Sequence, residues 1–277
     1  MRTAMERVRS VMGGRIRTIM RHFPSKNLVG TIYETPNGVF SISSSDTALA
    51  NVLRKNRSWS SDEVDEIRRV TGPGSRVLFV GAHVGTLVVP VARHVGEVVA
   101  VEANPDTYRF LAANLALNDV ANVTLHGFAA GEAEGEIEFI LSKRNSGGAK
   151  RRPITADARY TYDNPVVARV PMRRLDDVIP GTFGTIVMDI EGSEVFALRG
   201  MPRLMAAADH FFVEFLPHHL RNVAGVDADA FCDLVLPHLP HLQIENRAFE
   251  AEAARSELRR MFAADEGRDL IHFSRPR

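Results

Sequence analysis

At 277 residues the chain has room for one large domain, or for a domain with an extension. Its 34 basic and 34 acidic side chains cancel, which removes the excess positive charge that would argue for nucleic acid as a partner. A single cysteine, Cys232, excludes an internal disulfide, and no uncharged apolar run reaches the roughly 18 residues of a membrane span, so the reading is a soluble, cytoplasmic protein without stable membrane insertion.

Residues 1–23, MRTAMERVRSVMGGRIRTIMRHF, set six arginines against one glutamate, with Val8, Val11, Met12, Ile16, Ile19, Met20 and Phe23 at helical spacing. The pattern predicts a basic amphipathic helix interrupted at Gly13 and Gly14. It packs on its own domain, on a sister subunit to give a homo-oligomer, or on an anionic membrane surface. TIYETPNGVFSIS, 31–43, alternates around a PNG turn and predicts a hairpin. A helix follows from Asp46, and a second takes Ser60 or Ser61 as its N-cap with acids in its first turn. TGPGS, 71–75, is a linker, dividing an N-terminal extension (1–70) from a main domain (71–277).

In the main domain strands and helices take turns. RVLFV (76–80) leads to a helix ending near His94, EVVAVE (97–102) to a helix over 106–118, TIVMD (185–189) to a helix from Ser193, and HFFVEF (210–215) to a helix over 228–236. NVTLHGFA (122–129) and EIEFIL (136–141) are further strand-like runs, and HLQIEN and DLIHFS form a closing pair around a helix at 251–263. This alternation predicts an α/β fold, a mostly parallel sheet with helices on both faces. Residues 142–165 are polar and rich in glycine, proline and charge, which predicts a lid on the substrate side or a segment without fixed structure.

Ligands of such sheets bind beyond the carboxyl ends of the strands, which places the turn after RVLFV at the site. Its sequence, GAHVGTLV, keeps Gly81 and Gly85 but lacks the second and third glycines of the GxGxxG pattern that brings backbone close to a pyrophosphate. A nicotinamide-dependent oxidoreductase is disfavoured on that ground. S-adenosyl-L-methionine (SAM) carries no phosphate, and its carboxylate suits the N–H groups of the turn and the helix start. Glu102 ends the next strand 21 residues after Gly81, close to the roughly 20-residue spacing of an acid that binds ribose hydroxyls.

VLFVGAHVG (77–85), VVAVEANPDTYRFLAANLALN (98–118), FAAGEAEGEIEF (128–139), RRLDD (173–177) and TIVMDIEGSEVFALRG (185–200) together resemble the FkbM family of SAM-dependent methyltransferases. The resemblance implies a Rossmann-like, seven-stranded class I methyltransferase sheet, SAM as methyl donor, and O-methylation of a hydroxyl on a sugar or natural-product small molecule. It further implies that Gly81, Ala82, His83 and Gly85 surround the methionine part, that Glu102 holds the ribose with Asn104 beside the adenosine, and that Asp189 and Glu191 face the reacting centre. The family usually has Asp at Phe79 and Asn at His83, and often Lys at Val187. Phe79 and Val187 are the grounds for an alternative of another class, a catalytically silent module kept for binding or assembly.

Transfer of a methyl group to an alcohol needs the acceptor aligned and its proton removed. Asp189 at a strand end and Glu191 in the turn after it are candidate bases; the alternative is that Asp189 caps the next helix while Glu191 binds backbone amides. His218 is a third candidate, on the rim with His219 past the strand that carries Glu214. No spacing such as HExxH or CxxC joins these residues into a metal site, so the metal reading is none.

Overall fold

The structure, a computed structural model, describes residues 27–56 and 59–276. The helix expected over 1–23 lies outside them. The first element is the expected hairpin: β1 (Gly30–Thr35) pairs antiparallel with β2 (Gly38–Ser43) across a two-residue Pro36-Asn37 turn. Two helices follow, α1 (Thr47–Asn56) and α2 (Ser61–Val70). Asp46 caps α1, its Oδ1 accepting from Leu49 N at 3.0 Å. Ser60 occupies the N-cap position of α2, but in a left-handed conformation without a side-chain cap bond, so the capping expected of its hydroxyl is not made.

The main sheet has the order β5-β4-β3-β10-β11-β14-β12-β13. Its parallel half comprises β3 (Arg76–Val80), β4 (Glu97–Val101), β5 (Val123–His126), β10 (Thr185–Met188) and β11 (His210–Phe215). β14 (Arg268–Ser274), antiparallel to β11, and β12 (His241–Ile244), antiparallel to β14 and so aligned with the parallel half, complete the seven expected strands. An eighth, β13 (Arg247–Phe249), folds back on β12; at three residues it is too short to leave a periodic signal. The central strands are buried on both faces, which explains their continuous apolar sequence: Leu78, Val80, Ile186 and Met188 enter one core cluster and Val77, Phe79 and Val187 the other.

Helices cover both faces: α3 (Val88–Ala92), α4 (Pro105–Leu117), α5 (Leu175–Val178), α6 (Glu194–Arg199), α7 (Pro202–Ala207), α8 (Ala228–Val235) and α9 (Ala251–Ala263). The hairpin attaches to α4 through two asparagines. Asn118 Oδ1 accepts from Val39 N at 2.9 Å while its Nδ2 donates to Val39 O at 2.6 Å, and Asn114 makes the same pair with Ser41 N and O at 2.7 and 3.0 Å. Four residues of helix rise about 6 Å and two of strand about 6.8 Å, so the amides meet alternate strand residues in register.

Residues 129–173 build a second, four-stranded sheet of order β6-β9-β7-β8, from β6 (Ala129–Ala130), β7 (Gly135–Leu141), β8 (Lys150–Arg151) and β9 (Val166–Arg173). EIEFIL therefore leaves the main alternation. Within 142–165 the chain forms two 3-10 turns and β8, and β8 pairs with β7.

Candidate active site

From β3 the chain runs outward to β4 and β5, then returns to β10 on the other flank of β3; the crevice beyond β3 and β10 is the switch point of the sheet. Gly81 turns there at φ +88°, and a Cβ on it would overlap the Asp189 carbonyl, so only glycine lets the two strand ends pass. The N–H groups of Gly81 and Ala82 donate to Val101 O at 2.9 and 3.1 Å. His83 takes the left-handed region at φ +49°, and its N–H donates to Glu102 Oε2 at 2.8 Å; Asn104 N donates to Glu102 Oε1 at 2.8 Å. Burial raises the Glu102 pKa to about 7 against the pull of these backbone donors.

The His83 ring is held as well. Its Nε2 lies 2.7 Å from Ser146 Oγ, and Asp46 Oδ2 accepts from both the N–H and the hydroxyl of Ser146. Burial lowers the His83 pKa to about 4, Asp46 opposing, so the ring is neutral near pH 7. The glycine turn, the 142–165 segment and the start of α1 are thereby fastened together.

These residues border a cavity of about 320 Å³, within the roughly 300–1,000 Å³ of small-molecule sites. The second sheet supplies an apolar wall with Ala130, Ile137 and Phe139, Phe79 and Val80 contribute from β3, and Trp59, Ser60 and Glu63 border it from the residues before 71. Among the described residues six carboxylic acids line it, Glu63, Glu102, Asp189, Glu191, Glu214 and Asp269, and no lysine or arginine does.

Asp189 opens onto the cavity and its carboxylate takes no hydrogen bond from the described residues. Its side chain is exposed on that side, while protein atoms crowd the strand end around it. This desolvation, with Glu191, Glu194, Glu63 and Asp269 adding repulsion, raises its pKa well above the usual carboxylate range. The amide-binding role falls to Glu194 instead, whose Oε1 accepts from Gly192 N at 3.1 Å and Ile190 N at 3.3 Å, and the N-cap residue of the following helix, Ser193, makes no side-chain cap bond. Glu191, at φ +57°, accepts from Lys150 Nζ at 2.7 Å, and the same ammonium lies 2.9 Å from His219 Nε2.

An ammonium only donates, so His219 Nε2 is the acceptor and the neutral ring carries its proton on Nδ1. That Nδ1 faces Glu214 Oε2 at 3.6 Å, beyond hydrogen-bond reach. Burial and the neighbouring Lys150 lower the His219 pKa to about 2, and burial among Asp189, Glu191 and Glu194 raises that of Glu214 well above its ordinary value.

The structure thus brings Gly81, Ala82, His83, Glu102, Asp189 and Glu191 to one cavity and leaves three candidates outside it. Gly85, at φ +91°, packs against Leu111, so it serves the turn rather than a ligand. Asn104 is the N-cap of α4, its Oδ1 accepting from Asp106 N and Thr107 N at 3.1 and 3.4 Å, and lies in a neighbouring depression. His218 faces away to Tyr160, whose hydroxyl lies 3.2 Å from its Nδ1; a single helical turn sends the adjacent histidines to different sides, and His219 is the one turned inward. Sequence reasoning missed Lys150, whose only signal was its place in a segment read as a lid or a loop. Phe79 and Val187, the two departures on the strands, are register partners in one apolar cluster.

Residues 80–242, more than half of the chain, match the family described as the methyltransferase FkbM domain. The chain belongs to the FkbM methyltransferase family. Among solved structures it is similar to an FkbM methyltransferase from Methylobacillus flagellatus KT (17% identity, 77% of this chain and 51% of that one, TM-score 0.46). It is also similar to Trm5b from Pyrococcus abyssi (13%, 91% and 57%, 0.46) and to M. jannaschii TYW2 in complex with AdoMet (13%, 70% and 65%, 0.37). The chain spans about half the length of the first and less than two thirds of each of the others. No curated protein matches it. No described helix is long and apolar enough to cross a membrane.

The FkbM family uses SAM, and the cavity fits that cofactor. The Glu102 oxygens, which face the cavity, keep lone pairs beyond those taken by His83 and Asn104. An acid-lined cavity without lysine or arginine favours a sulfonium bearing an ammonium and repels a diphosphate.

Proposed function

We propose that this FkbM protein is a SAM-dependent O-methyltransferase acting on a hydroxyl of a small molecule, of the sugar or natural-product class. The observation that carries the reading is the Asp189 carboxylate, unpartnered and open to a cavity whose other side is the Gly81 turn and Glu102. Gly81, Ala82 and His83 would hold the methionine part of the cofactor and Glu102 the ribose. SAM supplies an activated methyl group when bound.

The remaining work falls to the chain's own side chains. Asp189 accepts the proton of the acceptor hydroxyl as the new C–O bond forms, and its raised pKa brings it closer to the proton affinity a base needs near neutral pH. Glu191, paired with Lys150, is less free for that task. The apolar second sheet keeps water from competing with the acceptor. The pairing of Phe79 with Val187 supports a repacked strand pair rather than a damaged site, which weighs against the silent module.

Calorimetry with SAM, followed by transfer from methyl-labelled SAM to a panel of hydroxylated small molecules, tests the reading. Tight SAM binding with label stably attached to oxygen supports it. A folded protein that binds no SAM returns the silent module, and a melting temperature raised by NAD but not by SAM returns the oxidoreductase.

A further inference from the structure

Of the chain's 34 basic residues 30 are arginine and four are lysine, and one of the four, Lys150, is buried beside the cavity at 5% exposure. Its Nζ reaches Glu191 Oε2 and His219 Nε2, and lies 5.0 Å from the centre of the Tyr160 ring. Burying an ammonium requires that its water contacts be replaced. A carboxylate, an imidazole and an aromatic face replace them here. The flat fork of a guanidinium spreads its donors and would not converge on one point in this way.

Glu191, Glu214 and His219 each offer a ligand atom within 4.8 Å of the other two. Two carboxylates and an imidazole are a donor set that divalent metals accept. Ligands about 2.1 Å from one tetrahedral zinc-sized ion lie about 3.4 Å apart, so the triad needs to contract to hold one. The nitrogen of His219 that has a lone pair to give, Nε2, is the one Lys150 occupies, while the protonated Nδ1 of this 4% exposed residue finds no hydrogen-bond partner among the described residues and faces Glu214 Oε2 at 3.6 Å.

We propose that Lys150 is the resident cation of this cage, an internal ammonium in the seat that a divalent metal would otherwise take. Strand β8 delivers it, with Lys150 opposite Ile140 of β7. The ammonium acts through Glu191 and His219 and touches no reacting atom, which makes Lys150 a positioning residue. The cage holds its cation whichever acceptor the cavity takes.

The full chain and its K150A variant, stripped with EDTA, are titrated with Co²⁺ and followed by calorimetry and by visible d–d absorption. K150A gains one Co²⁺ per chain that K150A/H219Q does not bind, and the wild type shows no Co²⁺ that H219Q removes. A wild-type Co²⁺ site that H219Q abolishes overturns the proposal, because the metal then displaces the lysine. So does a K150A protein with native circular dichroism that binds no more Co²⁺ than the wild type. If K150A does not fold, ¹⁵N resonances of the wild-type lysines decide. One Nζ signal of the four, absent in K150R, exchanges slowly with water; rapid exchange of all four means that the ammonium is not caged, and the proposal falls.

Discussion

The two sides of the cavity are built differently. The glycine turn and Glu102 are stitched by backbone N–H groups within 21 residues of each other in the chain, from Gly81 to Glu102. The side holding Asp189 is assembled from side chains at 150, 189, 191, 214 and 219, and its bonds run between ionisable groups. Backbone stitching keeps its shape when one side chain changes, whereas a side-chain cage changes charge and geometry together. Substitutions on the two sides should therefore separate cleanly into binding and turnover.

The largest separation is expected at Asp189. D189N should lower kcat by about a hundred- to ten-thousandfold while leaving the SAM Kd within error by calorimetry; equal losses in both would place Asp189 in cofactor binding instead. Next comes the Phe79–Val187 pair. F79D leaves a buried charge unpaired and should cost about 3–5 kcal/mol in urea unfolding. F79D/V187K, with the charges opposite each other on neighbouring strands, should cost less than the sum of the two single changes; strict additivity would mean that the residues do not touch.

On the backbone-stitched side, E102A should weaken SAM binding by about ten- to a hundredfold, the loss of one or two hydrogen bonds to a charged acceptor, with kcat at saturating SAM little changed. An unaltered Kd would remove Glu102 from the ribose. The smallest effect is one of pH. Burial pushes the pKa values of Glu102 and Glu194 up to about 7 from 4.5. Below about pH 4.5 folded and unfolded chains hold these protons alike. Between there and about pH 7 the unfolded chain releases them while the folded chain keeps them, so stability falls as pH rises through that window and levels off above it. Denaturation across pH should show this slope in the wild type and a flatter one in E102Q/E194Q.

The same contrast explains what could be read from the sequence. The Gly81 turn and Glu102 announce themselves because strand, turn and strand-end acid are close in sequence and obey a known spacing. Asp189 and Glu191 both reach the cavity, as their position just after one apolar strand suggests. Lys150 was missed, because its partners lie 41 and 69 residues away and nothing in SGGAKRR marks one cation as buried. His218 was preferred to His219 because a linear pattern does not tell which of two adjacent residues a helical turn directs inward. The family resemblance puts Asn104 beside the adenosine, whereas an Asn ahead of Pro and Asp is by its own chemistry a strong helix cap. EIEFIL was assigned to the main alternation because short strands carry no label saying which sheet they join.

Asn114 and Asn118 have a consequence of another kind. A strand whose outer rim is left bare invites a stranger's backbone to dock along it. On β2 that rim is taken up at Val39 and Ser41 by amide groups borne on a helix, so a coil of one kind ends a ribbon of the other. The hairpin joins the body without adding a ninth member to the main sheet, and its excision would bare the core contacts of Phe40 and Ile42 as well as two asparagines.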